Sequence, residues 1–66
     1  MTLYERVKAL GTENNFSIAE IERRAGLANA VIAGWNKPAA APSVYSVKAV
    51  ADVFGLTADE LIRGCE

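Results

Sequence analysis

Side chains able to do covalent or metal chemistry are scarce in this sequence. It has no histidine and a single cysteine, Cys65. With no imidazole and no second thiol, a zinc site is excluded in practice and an internal disulfide is impossible. Cys65 reads as structurally idle at a frayed end, with an intermolecular disulfide or reactive thiol as the lesser reading. No serine, and not Cys65, has a base beside it that would make it a nucleophile. The adjacent carboxylates Asp59 and Glu60 suggest acid/base work, but Glu60 stands three residues after Thr57, the spacing of a helix-capping box. The inventory points away from an enzyme, and no cofactor or metal is expected. What remains is ionic and hydrogen-bonding chemistry: the Arg23-Arg24 pair, Lys37, Lys48, Tyr45 and the amide of Asn29.

The charge balance does not favour a polyanion at first sight. Seven Lys and Arg against eight Asp and Glu leave a formal net charge of −1, and the sequence pI is near 5.3. Nucleic-acid binders usually lean basic. Net charge describes the whole surface, however, whereas contact with phosphates needs only a local cluster of cations. At 66 residues the chain is expected to form one domain over 1–66. Below roughly 70–80 residues one core contributes only about 3–5 kcal/mol unless it packs efficiently, a limit that suits compact helices. The 52% apolar and 23% charged content is that of a globular chain. No apolar run approaches the roughly 18 residues of a membrane span, and Met1-Thr2-Leu3-Tyr4 lacks the basic-then-apolar layout of a secretory signal. The expectation is a soluble, cytoplasmic protein with no membrane partner.

The elements that would position those side chains centre on Ser17 to Asn36, which reads as two short helices joined by a tight turn. Ser17 with Glu20 is a capping box. Ile18, Ile21 and Ala25 at i, i+3, i+7 form one apolar stripe, with Glu20, Glu22, Arg23 and Arg24 placed off it. Gly26 stands where the pattern stops and can turn the chain sharply. Leu27, Val31, Ile32 and Trp35 then resume helical spacing, Leu27 plugging the gap between the helices and Trp35 reading as core. This is helix-turn-helix logic.

Around that unit, Thr2 with Glu5 caps a first helix to about Glu13, whose stripe is Leu3, Val7 and Leu10, widened by Tyr4. Asn14 and Asn15 tolerate a turn, and Phe16 packs inward as a staple for the second helix. Asn36 to Pro42, with Pro38 and Pro42, is the long loop. Ser43 caps a fourth helix carrying Val44, Val47, Val50, Ala51 and Phe54 on one face and ending at Gly55. Thr57 and Glu60 cap a last short helix, with Leu56, Leu61 and Ile62 expected to bury it against the first. That makes five helices and no strand.

In this order and at these separations, five stretches resemble the Cro/XRE-type, lambda-repressor-like helix-turn-helix domain of bacterial and phage regulators. They are Leu3 to Leu10, Ser17-Ile18 with Ile21, Gly26-Leu27, Val31-Ile32 with Trp35, and Val50 to Ile62, and the likeness covers roughly Leu3 to Gly64. The resemblance implies an all-α, compact five-helix lambda-repressor-like domain with the helix-turn-helix at helices two and three. It also implies a sequence-specific DNA-binding transcriptional regulator whose third helix, about residues 28–36, lies in the major groove. The base-reading positions it implies are Ala28, Asn29, Ala30, Ala33 and Gly34, with Lys37 just beyond. Asn29 can bond adenine bidentately and the alanine methyls can meet a thymine methyl, but no arginine faces a guanine. One bidentate contact is worth about 1–3 kcal/mol, so direct readout should discriminate weakly.

The sequence departs from the family at two places. Ala28 replaces the usual capping hydroxyl, which costs on the order of 1 kcal/mol unless Asn29 caps instead; an Asn29 that caps is not free to read a base. Glu22 stands where the family tends to carry a small residue. It reads as solvent-facing, and near a DNA backbone it would repel phosphate.

Phosphate contacts fall to Arg23, Arg24, Lys37 and Lys48. Three or four neutralised phosphates give a log–log salt slope near −3 per copy, about twice that for a two-fold dimer. Arg23 and Arg24 can equally be a solvated helix end favourable to the dipole, Lys37 a loop charge, and Tyr45 either a surface ring or a phosphate or partner contact. Two readings stay open. One is the regulator, bound to double-stranded operator DNA as a homodimer on half-sites roughly 34 Å apart. The other is an antirepressor-like protein-interaction module that has lost DNA reading, because Ala28, Ala30, Val31, Ala33, Gly34 and Ala39-Ala40-Ala41 form a smooth uncharged surface.

Overall fold

Every described α-helix starts on a hydroxyl that accepts a first-turn N–H: Thr2 from Glu5, Ser17 from Glu20, Ser43 from Ser46 and Thr57 from Glu60. The computed structural model describes residues 2–36 and 42–64, so the expectations on Lys37, on Ala39-Ala40-Ala41 and on Cys65 lie outside the described residues. The helices are α1 over Leu3–Glu13, α2 over Ile18–Arg24, α3 over Val44–Val53 and α4 over Ala58–Arg63, with a 3₁₀ helix at Ala33–Asn36 between α2 and α3. The described residues contain no strand. The fold is all-helical. No described helix is long and apolar enough to cross a membrane, and no described group of His, Cys, Asp and Glu could hold a metal ion.

Two of the caps are complete boxes, in which Glu5 and Glu60 return to the N–H of Thr2 and Thr57 at 2.8 and 3.0 Å. The box expected at Ser17 is only half made. Glu20 turns instead to Arg23 at 3.2 Å and Arg24 at 2.9 Å, because two guanidiniums one turn ahead compete for it.

Helices α1, α2 and α3 also end alike. Asn15, Gly26 and Gly55 take left-handed φ values of 60°, 72° and 69°. The next residue's N–H then bonds back across the turn: Phe16 to the carbonyl of Gly11 at 2.7 Å, Leu27 to Glu22 at 2.9 Å and Leu56 to Ala51 at 2.9 Å. This Schellman closure satisfies carbonyls that a helix end would otherwise leave open. It also turns Phe16, Leu27 and Leu56 onto the core, where all three pack.

The core is Val7, Leu10, Ile21, Ile32, Val47, Val50, Ala51 and Leu61. Helix α1 packs against α2, α4 and the 3₁₀ helix, and α3 against α2 and α4. The chain measures 25 × 23 × 20 Å along its principal axes. Two residues expected inside lie outside. Val44 is 81% exposed, because it opens the first turn of α3 and no described element extends over that turn. Ile62 is 52% exposed; in a helix of six residues, Leu61 and Ala58 take the inward stripe and Ile62 falls about 100° round from it.

Candidate nucleic-acid interface

The segment after α2 departs from its expected form. Spacing predicts one helix over about 28–36, whereas Asn29 to Ile32 are turns and only Ala33–Asn36 is helical, as 3₁₀. The cause is local. Ala30 has φ +70°, a left-handed conformation that an alanine adopts at a cost of about 1–2 kcal/mol and that a right-handed helix cannot contain. Hydrogen bonds pick up again from there: Gly34 N–H to the Ala30 carbonyl at 3.0 Å and Trp35 N–H to Ile32 at 2.9 Å.

Holding this turn is Glu22, a residue whose type predicts a place in solvent. Glu22 is 4% exposed. Its carboxylate accepts from the N–H groups of Ala30 at 3.2 Å, Ile32 at 2.8 Å and Ala33 at 3.5 Å. A helical segment begins with N–H groups that have no internal partner, and here a carboxylate from α2 supplies it. The cap lost at Ala28 is thus replaced by neither Ala28 nor Asn29. Among the described residues the Asn29 amide makes no hydrogen bond, so it stays free for an outside partner. The burial of Glu22 was written in its position: with Ile18, Ile21 and Ala25 it completes i, i+3, i+4, i+7. Residue type argued for the surface, but three N–H donors make the buried carboxylate tolerable.

Ile32 is fully buried, and Val31 and Trp35 are half-buried, so this side of the segment faces α1. Ala28, Asn29, Ala30 and Ala33 are exposed and Gly34 half-exposed. Four of the five expected base-reading residues are therefore open to solvent, and Gly34 is partly so.

The expected phosphate-contacting cations distribute differently. Arg23 and Arg24 have side chains 73% and 52% exposed and share Glu20; the Arg24 guanidinium also lies 4.3 Å over the Phe16 ring. Exposed pairs of this kind are worth about 0–1 kcal/mol, so a phosphate can compete for either arginine. Arg24 and Lys48 line one open groove between α2 and α3, together with Tyr45 and Asp52 and a floor of Ala25, Ala49 and Val53. None of the expected base-reading residues lines that groove. No family model, curated protein or solved structure matches the chain. The likeness to the Cro/XRE type rests on the sequence alone.

Proposed function

We propose that the chain is a sequence-specific DNA-binding transcriptional regulator of the lambda-repressor-like type, acting in the cytoplasm as a dimer on double-stranded operator DNA. The observation that carries this reading is the turn beyond Gly26: Ala28, Asn29, Ala30 and Ala33 are exposed on a segment tied down by Glu22 and Ile32, with the Asn29 amide unengaged. In this reading α2 crosses the backbone, the turn and 3₁₀ helix enter the major groove, and Asn29 bonds an adenine edge while the alanine methyls meet thymine methyls. Arg23, Arg24, Lys37 and Lys48 contact phosphates.

The test is an anisotropy titration against a random-sequence duplex pool, with selection, at two salt concentrations. A selected sequence bound with steep salt dependence supports the regulator. No binding even at low salt supports the protein-interaction alternative. That second reading draws on the absence of any cation from 28–36 and on Val44 and Tyr45 standing 81% and 77% exposed at the start of α3.

A further inference from the structure

We propose that Glu22 is a positioning residue for base reading: buried beneath the turn, its carboxylate holds the N–H groups of Ala30 and Ile32 and so fixes where Asn29 points before any DNA arrives. The inference rests on the DNA-reading proposal and goes beyond it, because Glu22 itself faces inward and touches no base.

Three observations converge on it. Glu22 has one oxygen on Ala30 at 3.2 Å and the other on Ile32 at 2.8 Å, so the two ends of a three-residue span are clamped by one rigid group. Ala30 is held at φ +70°, a conformation that an isolated alanine rarely keeps. Asn29 and Ala28 sit immediately before the clamped residue and are exposed. A free amide on an otherwise mobile turn would lose rotational and backbone freedom on binding a base; a clamped one has lost most of it already. The same carboxylate places a negative charge behind the reading surface, which opposes phosphate without discriminating among bases.

Glu22→Gln separates these effects. Glutamine keeps the size but presents an NH₂ to one of the two N–H donors, so the clamp opens on one side. The probes are the duplex selected by the wild-type chain and a shuffled duplex of the same composition. The expected result is that the affinity ratio between them falls about fivefold or more, the lower end of what one bidentate base contact is worth, while the shuffled duplex binds as well as before or better. Glu22→Asp keeps the charge but loses one methylene of reach, and should lower the ratio too. Adding Ala30→Gly to Glu22→Gln should restore part of the ratio, because glycine reaches φ +70° without a Cβ penalty.

A purely structural role would instead weaken both duplexes together, with no rescue by glycine, and that outcome overturns the inference. So does a wild-type ratio retained in Glu22→Gln or Glu22→Asp. If the wild-type chain selects no duplex, the DNA-reading proposal itself falls and the inference with it. Should the Glu22 variants fail to fold, backbone ¹⁵N relaxation on the free wild-type chain decides: order parameters near 0.85 at Asn29 and Ala30 support a preset turn, and values below about 0.6 overturn it.

Discussion

Single positions carry consequences that their residue types do not announce. Gly11 lies inside α1, where alanine would ordinarily gain up to about 1 kcal/mol of helix propensity. A Cβ there would stand 2.7 Å from the backbone oxygen of Phe16 and 2.8 Å from Cδ1 of Ile21. The first is main chain already fixed by the 2.7 Å bond from Phe16 N–H to the Gly11 carbonyl, so it cannot swing aside. Gly11→Ala should therefore lose about 1–3 kcal/mol to overpacking before the propensity gain is returned. In a domain of this size that is a melting temperature lower by roughly 4–8 °C for each net kcal/mol, read by circular dichroism. Glu5 gives a pH signature. The backbone N–H of Thr2, and then its hydroxyl, hold the Glu5 carboxyl below its ordinary value of 4.5. A depressed folded value means that the box stabilises fully above the unfolded value and is lost as pH falls through the folded one. Glu5→Gln should therefore flatten part of the acid limb of stability below about 4.5 and leave its shape near neutrality unchanged, as measured by denaturant titration across pH.

Elements were legible in the sequence where their signals are local. Thr2, Ser17, Ser43 and Thr57 mark the four helix starts, and Gly26 and Gly55 mark two ends, because a hydroxyl three residues before a donor and a residue able to go left-handed act within one turn of themselves. Asn15 does the same work as the glycines, which its tolerance of that conformation allows. The segment 28–36 was not legible in the same way. Its apolar spacing is helical, but its backbone is decided by Glu22, whose partners stand eight to eleven residues away, and no propensity of Asn29 or Ala30 encodes that bond. The half-made box at Ser17 belongs to the same class of competition, since Glu20 could serve the cap or the arginines. Its choice has a functional consequence under the DNA-reading proposal. With Glu20 engaged, Arg23 and Arg24 at the end of α2 are partly neutralised. Glu20→Gln should free both, and affinity for selected and shuffled duplexes should rise together, by several-fold at low salt and less at high salt. A rise confined to the selected duplex, or a fall, would argue that these arginines do not meet phosphate.

On the scale of the whole molecule, the small negative net charge makes salt dependence the decisive measurement. A chain of charge −1 has no long-range attraction to a polyanion as a monopole, so any binding must come from cations that stand next to phosphates in the complex. Counterion release then counts them. If about three phosphates are neutralised per copy, the log–log slope is near −3, and raising salt from 50 to 200 mM weakens binding about 60-fold. Two copies on a two-fold operator double the slope to near −6, and the same change weakens binding about 4,000-fold. The slope thus reports the number of copies as well as the contacts. Substituting Arg23→Ala with Arg24→Ala should reduce it by about 2 per copy while lowering affinity for all sequences alike, whereas Asn29→Ala should leave the slope alone and relax preference at one base pair. The groove between α2 and α3 sharpens the expectation for Lys48 under the DNA-reading proposal: it shares that groove with Arg24 and not with the turn at 28–32, so Lys48→Ala should shift the slope by no more than about 1 and leave preference intact. A slope that ignores all three cations while duplex binding persists would mean that other groups meet the phosphates; only a chain that binds no duplex even at low salt leaves the uncharged turn to a protein surface, where exclusion of water and not release of counterions drives association.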